Sequence, residues 1–109
     1  MLIARALFGE RPLLLFDEPA AGLDLPARER LLAAMDAATT RPGGPTTLLA
    51  THHLEEIPPS TTYGALLRRG RVLASGAIDE VVADGPLSEC FEMDVAVERR
   101  GGRWSARGG

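Results

Sequence analysis

Apolar residues come along this chain in short bursts. Residues 13–16 (LLLF) form an uninterrupted apolar stretch that begins after Pro12 and ends on two adjacent acids, Asp17 and Glu18. A run of this length without polar alternation suits a strand covered on both faces, the usual situation in a parallel sheet. Asp24 then stands as a helix cap ahead of Pro26, a residue suited to a first turn. The segment that follows, ARERLLAAMDAATT, puts Leu31, Leu32, Met35 and Ala38 on one face at helical spacing. RPGGP at residues 41–45 ends that helix. Residues 46–51 (TTLLAT), apolar and β-branched, read as a second short strand. HHLEEIPP follows as a brief helix with Glu55 and Glu56 near its positive end, halted by Pro58 and Pro59. Ahead of the first strand, MLIARALFG reads as the tail of a helix that stops at Gly9. Strand, helix, strand, helix with short connections predicts an α/β layer with parallel strands and right-handed crossovers.

Beyond residue 60 the pattern changes. YGALLRRGRVLASG predicts two strands joined at Arg69-Gly70. Residues 77–83 read as a short helix stopped by Asp84-Gly85-Pro86, and residues 87–91 as one further turn. MDVAVERRGGRW alternates Met93, Val95 and Val97 with Asp94 and Glu98, and Gly101-Gly102 turns a last hairpin towards Trp104. The residues after Trp104 read as a frayed end. There is no internal repeat and no low-complexity tract.

Composition narrows the class. The chain has 109 residues, enough for about one small domain, with a net charge of −3. That balance gives no pull towards nucleic acid or an anionic membrane surface. Cys90 is the only cysteine, which excludes an internal disulfide and a cysteine metal cluster and suits a cytosolic setting. No apolar run approaches the roughly 18 residues that a membrane span requires.

The chemistry collects at two strand ends. In an open parallel sheet, ligands sit beyond the carboxyl ends of the strands. Asp17 and Glu18 end one strand, and His52 and His53 follow the other, so two acids and a histidine converge on one edge. Phosphoryl-transfer sites use such parts: an acid on Mg²⁺, a group that orients or deprotonates water, and a polar donor near the terminal phosphate. Bound Mg²⁺ also offsets the repulsion between adjacent carboxylates. Taken alone, an Asp-Glu pair after a strand is more often a solvated turn, and a lone histidine more often a surface residue or local cap.

The whole string is more specific. LLLFDEP, then AGLD, a helix, and TTLLATHHLEE resemble the Walker B strand, D-loop and switch-histidine segment of the ATP-binding cassette (ABC) ATPases. LLRRGRVLASGAIDEVV is similar to that family's strand-hairpin-helix ending. The resemblance covers residues 1–92, with 93–109 as a C-terminal hairpin tail. It implies an α/β fold: part of a P-loop NTPase (RecA-like) parallel sheet with a C-terminal β-hairpin and helix extension.

The resemblance also implies roles. Asp17 would hold Mg²⁺ through water, and Glu18 would act as general base or orient the attacking water. His52, directly after the strand's threonine, would contact the γ-phosphate of ATP. Asp24 would act across a dimer interface, because such domains sandwich two ATP molecules head to tail. His53 reads as a bystander, Cys90 as packing, and Arg68, Arg69 and Arg71 as a solvated hairpin end. The implied cofactors are ATP and Mg²⁺. The implied partners are a second nucleotide-binding domain and a membrane-spanning transporter subunit, with no nucleic acid. That assembly sits in the cytoplasm, peripheral to the inner face of the membrane.

Other family parts are missing from these residues. There is no G-x-x-x-x-G-K-[ST] loop, and the chain contains neither lysine nor glutamine. The Ser-Gly-Gly signature would end just ahead of Met1. The expectation is therefore the C-terminal part of a nucleotide-binding domain, inactive as an ATPase alone, with β-strand edges exposed or mispaired. The alternatives are a non-catalytic fragment or interaction module, and a DNA-acting cassette of the structural-maintenance type, against which the short tail without a basic excess argues. The transported solute is set by other subunits.

Overall fold

The computed structural model describes residues 2–8 and 11–109, with side chains described from residue 13 onward. It divides into two compact units, Met1–Ser60 and Thr61–Gly109.

The first unit is built on a three-stranded sheet in the order β1-β2-β3. These strands are β1 (Leu2–Phe8), β2 (Arg11–Asp17) and β3 (Thr46–Ala50). β2 and β3 are parallel, with Leu15 opposite Leu48 and Asp17 opposite Ala50. They are joined through helix α1 (Leu25–Thr40), as a βαβ unit requires. The helix begins where a cap and a first-turn proline stand together. The Asp24 carboxylate accepts the Ala27 N–H at 2.9 Å, and Pro26 lies in the first turn. Leu32 and Met35 are buried on the inner face of α1, with Leu31 and Ala38 half-buried beside them. The Thr39 and Thr47 hydroxyls meet at 2.9 Å, so Thr47 and Leu49 share the face of β3 turned to α1. Leu48, on the opposite face, is exposed.

Two expectations change in this unit. Residues 2–8 form a strand, not the end of a helix; Gly9, the expected stop, lies outside the described residues. Seven residues that are almost all apolar carry no periodicity able to separate helix from strand. What decides is the neighbouring chain: all seven residues of β1 pair antiparallel with β2, from Leu2 opposite Asp17 to Phe8 opposite Arg11. That ladder satisfies backbone groups that β2 would otherwise present as an open edge. β2 is therefore the central strand, paired on both sides, and its edges are not exposed. The expected helix after His53 contracts to a single 3₁₀ turn, Leu54–Glu56.

In the second unit β4 (Tyr63–Arg68) and β5 (Arg71–Ala77) form an antiparallel hairpin. Its turn, Arg69-Gly70, has φ of 52° and 76°, the paired positive values of a type I′ turn. Helices α2 (Ile78–Val81) and α3 (Asp84–Phe91) pack against this hairpin. Gly64 allows the approach: a Cβ there would lie 2.9 Å from the Ile78 side chain. Asp84-Gly85-Pro86 opens α3, whereas the sequence suggested that it only stops a helix. A first-turn N–H has no partner within the helix, so Pro86 loses nothing there. β6 (Val95–Arg100) and β7 (Arg103–Gly108) form the last hairpin through Gly101-Gly102. β7 stays paired as far as Gly108, beyond the frayed end expected after Trp104. Ile78, Val81, Val82, Leu87, Val95 and Trp104 are this unit's buried residues. The Arg99 guanidinium lies 4.0 Å from the centre of the Trp104 ring and 2.9 Å from Asp79.

Candidate functional site

The site forms where β2 and β3 end side by side. Parallel pairing reaches Asp17 opposite Ala50 and is extended by the Glu18 N–H, which donates to the Ala50 carbonyl at 2.9 Å. Glu18 then takes a left-handed backbone, φ 47°, uncommon for a residue with a side chain. Such conformations cost about 1–2 kcal/mol and persist only where surrounding contacts impose them. Here Pro19 and Ala20 are buried immediately behind Glu18, and the Ala21 N–H closes a turn onto the Glu18 carbonyl at 3.1 Å. The kink separates the two acids: Asp17 is exposed, while Glu18 is half-buried.

His52 lies two residues beyond the end of β3. Its Nδ1 contacts Glu18 Oε1, joining residues 34 apart in sequence. Glu18 is the more enclosed partner: its side chain is 27% exposed and that of His52 87%. A carboxylate paired with an imidazole in this way is an acid–base couple able to move a proton to or from water. Among the described residues, no three His, Cys, Asp or Glu side chains gather to hold a metal ion by themselves. Asp17 still fits a hard cation of the Mg²⁺ kind, which keeps several waters and takes one or two carboxylates together with substrate phosphates.

The remaining expected residues fall as follows. Asp24 spends its carboxylate on capping α1. His53 stands at the cap position of the 3₁₀ turn, and Thr51 Oγ1 accepts its N–H at 3.1 Å. Arg68 pairs with Glu92 and donates to the Glu89 carbonyl at 3.2 Å; Arg69 and Arg71 are exposed. Cys90 is half-buried, with its Sγ 3.8 Å from the Leu67 carbonyl. From the sequence Glu56 reads only as an acid at a helix start, with no sign of a buried role. It is the buried charged residue of the described chain, 5% exposed, and accepts the Thr51 hydroxyl at 2.5 Å. The available signal was its place directly before Ile57-Pro58, which are buried with it.

No family model matches the chain. Its fold is that of the ABC-type P-loop ATPases. A solved ABC transporter structure in an inward-facing conformation superposes with a TM-score of 0.70 at 16% identity, covering 89% of this chain and 39% of that one. Sequence carries the relation to the family itself: the chain is homologous to the ATP-binding proteins of ABC transporters. The ABC transporter ATP-binding protein YlmA of Bacillus subtilis, itself uncharacterized, is 43% identical over 96 residues, 88% of this chain and 36% of the relative. The cobalt import ATP-binding protein CbiO of Rhodobacter capsulatus is 38% identical over 103 residues, 89% of this chain and 36% of the relative. The chain thus spans little more than a third of the length of these curated relatives. Among the described residues no helix is long and apolar enough to cross a membrane.

Proposed function

We propose that this chain is the C-terminal part of an ABC transporter ATP-binding subunit, residues 1–92 belonging to the nucleotide-binding domain and 93–109 forming its hairpin tail. Completed by a polypeptide that carries the phosphate-binding loop, it couples ATP binding and hydrolysis to solute transport. The observation that carries this reading is the meeting of Glu18 and His52 at the carboxyl ends of two adjacent parallel strands. Glu18 takes the proton of the attacking water or orients it, and His52 faces the γ-phosphate. Asp17 holds Mg²⁺ through its water shell; the ion supplies charge compensation on the phosphates. Asp24 lies at the contact with a second nucleotide-binding domain. A membrane-spanning subunit receives the motion, which places the assembly at the cytoplasmic face of the membrane.

Asp17, Glu18 and His52 do not by themselves hold ATP. The chain has no lysine, and the backbone cradle of a phosphate loop has no counterpart in its sequence. That observation favours the second reading, a non-catalytic fragment or an interaction module that docks on an intact cassette. ATP hydrolysis by the purified chain, with and without an added N-terminal half of a relative, separates the two. Turnover is expected only in the mixture, and only with Glu18 intact. A mixture that binds ATP without hydrolysing it would replace the first reading with the second.

A further inference from the structure

The loop that carries His52 is held by a carboxylate out of reach of solvent. Thr51 donates its hydroxyl proton to Glu56 Oε2 at 2.5 Å, and Thr51 Oγ1 in turn accepts the His53 N–H at 3.1 Å. The Glu56 N–H returns to the His53 carbonyl at 3.1 Å. Both neighbours of His52 in the chain are therefore tied to Glu56, one through its side chain and one through its backbone. His52 itself is mostly exposed, and among the described residues its ring contacts Glu18.

A buried carboxylate is a poor choice for packing alone, because an apolar residue fills the same space without losing hydration. What the carboxylate adds is direction. It fixes the Thr51 hydroxyl as donor towards Glu56, leaving the oxygen's lone pairs for the His53 amide. A hydroxyl without that partner could turn its proton to the His53 carbonyl, 3.5 Å away, and the loop would lose its register.

We propose that Glu56, acting through Thr51, is a positioning residue that sets the His52 imidazole against Glu18. The role rests on the assignment of Glu18 and His52 as the reacting pair, but its test is geometric. Nuclear magnetic resonance of the full chain reads the His52 ring directly, through its ¹⁵N resonances and its through-space contact with Glu18. Thr51→Val removes the donor and leaves Glu56 buried without its hydrogen bond; it should lose both the His52–Glu18 contact and stability. Thr51→Ser retains the hydroxyl and should restore both.

The deciding variant is Thr51→Val with Glu56→Leu. Removing both polar partners should return thermal stability towards that of the parent chain, while the His52–Glu18 contact stays lost. A double variant that regains the contact along with stability would reduce Glu56 to a packing role and overturn the proposal. If Thr51→Val does not fold, the double variant and Thr51→Ser still carry the comparison. The catalytic reading fails separately: it falls if His52→Ala leaves ATP turnover unchanged in the completed enzyme, whatever the ring geometry of the Glu56 variants.

Discussion

Asp24 has two claims on it, as helix cap and as a residue of a dimer contact, and substitution separates them. In α1 the amides from Pro26 to Arg28 are accounted for as follows. Pro26 has no N–H, the Arg28 N–H reaches the Asp24 carbonyl at 2.9 Å, and the Ala27 N–H depends on the Asp24 carboxylate at 2.9 Å. Asp24→Ala therefore orphans one amide, at an exposed position where water can replace the lost bond. The cost is that of an ordinary cap, about 1 kcal/mol. The charge at the helix N-terminus adds about 0.3 kcal/mol, held low by exposure. With a urea dependence of about 1–3 kcal/mol per molar, the unfolding midpoint of α1 should fall by roughly 0.4–1.3 M. Far-UV circular dichroism in urea measures the midpoint, and hydrogen exchange at Ala27 reports the cap itself. Asp24→Asn keeps an acceptor oxygen and should stay within a few tenths of a kcal/mol of the parent. An Asp24→Ala midpoint equal to that of the parent, or an Asn variant as weak as Ala, would refute the capping argument. In a completed ATPase the order differs if the dimer role holds: Asp24→Asn should lose turnover while keeping the helix.

Three further outcomes follow from the structure. Leu32, 2% exposed in the core of the first unit, should cost about 2–5 kcal/mol when replaced by alanine, read as a lower urea midpoint with α1 amides exchanging first. Gly101→Val places a β-branched residue at φ 57° with nothing within 4 Å of its Cβ, so the penalty is one of backbone alone, about 1–2 kcal/mol; Gly101→Asn should recover most of it, and fluorescence of Trp104, the chain's single tryptophan, follows the β6–β7 hairpin. Glu18→Gln should lower ATP turnover of the completed enzyme by about 10²–10⁴-fold with nucleotide binding retained, and equal loss of binding would remove Glu18 from the chemical step.

What could be read from the chain alone was local. Asp24, Pro26 and the apolar stripe through Leu32 and Met35 announce α1, because a helix start and its buried face are written within a few residues of each other. Gly70 and Gly101-Gly102 announce two hairpins, because a left-handed turn needs residues without a Cβ penalty. The order of Asp17, Glu18, Asp24 and His52 named the family, and 43% identity to an ABC transporter ATP-binding protein agrees with it. Three things waited for the tertiary structure. Residues 2–8 are a strand because the edge of β2 lay open beside them, and no local periodicity opposed it. Asp84-Gly85-Pro86 begins a helix, in part because the Asp84 carboxylate accepts the Val97 N–H at 2.7 Å from a strand more than ten residues away. Glu56 looked like an ordinary acid at a helix start, yet burial turned it into the partner of Thr51. Hydrophobic period and turn chemistry act over one or two turns of chain. The pairing of strand edges and the burial of a carboxylate depend on which distant segment arrives beside them, and only the folded chain decides that.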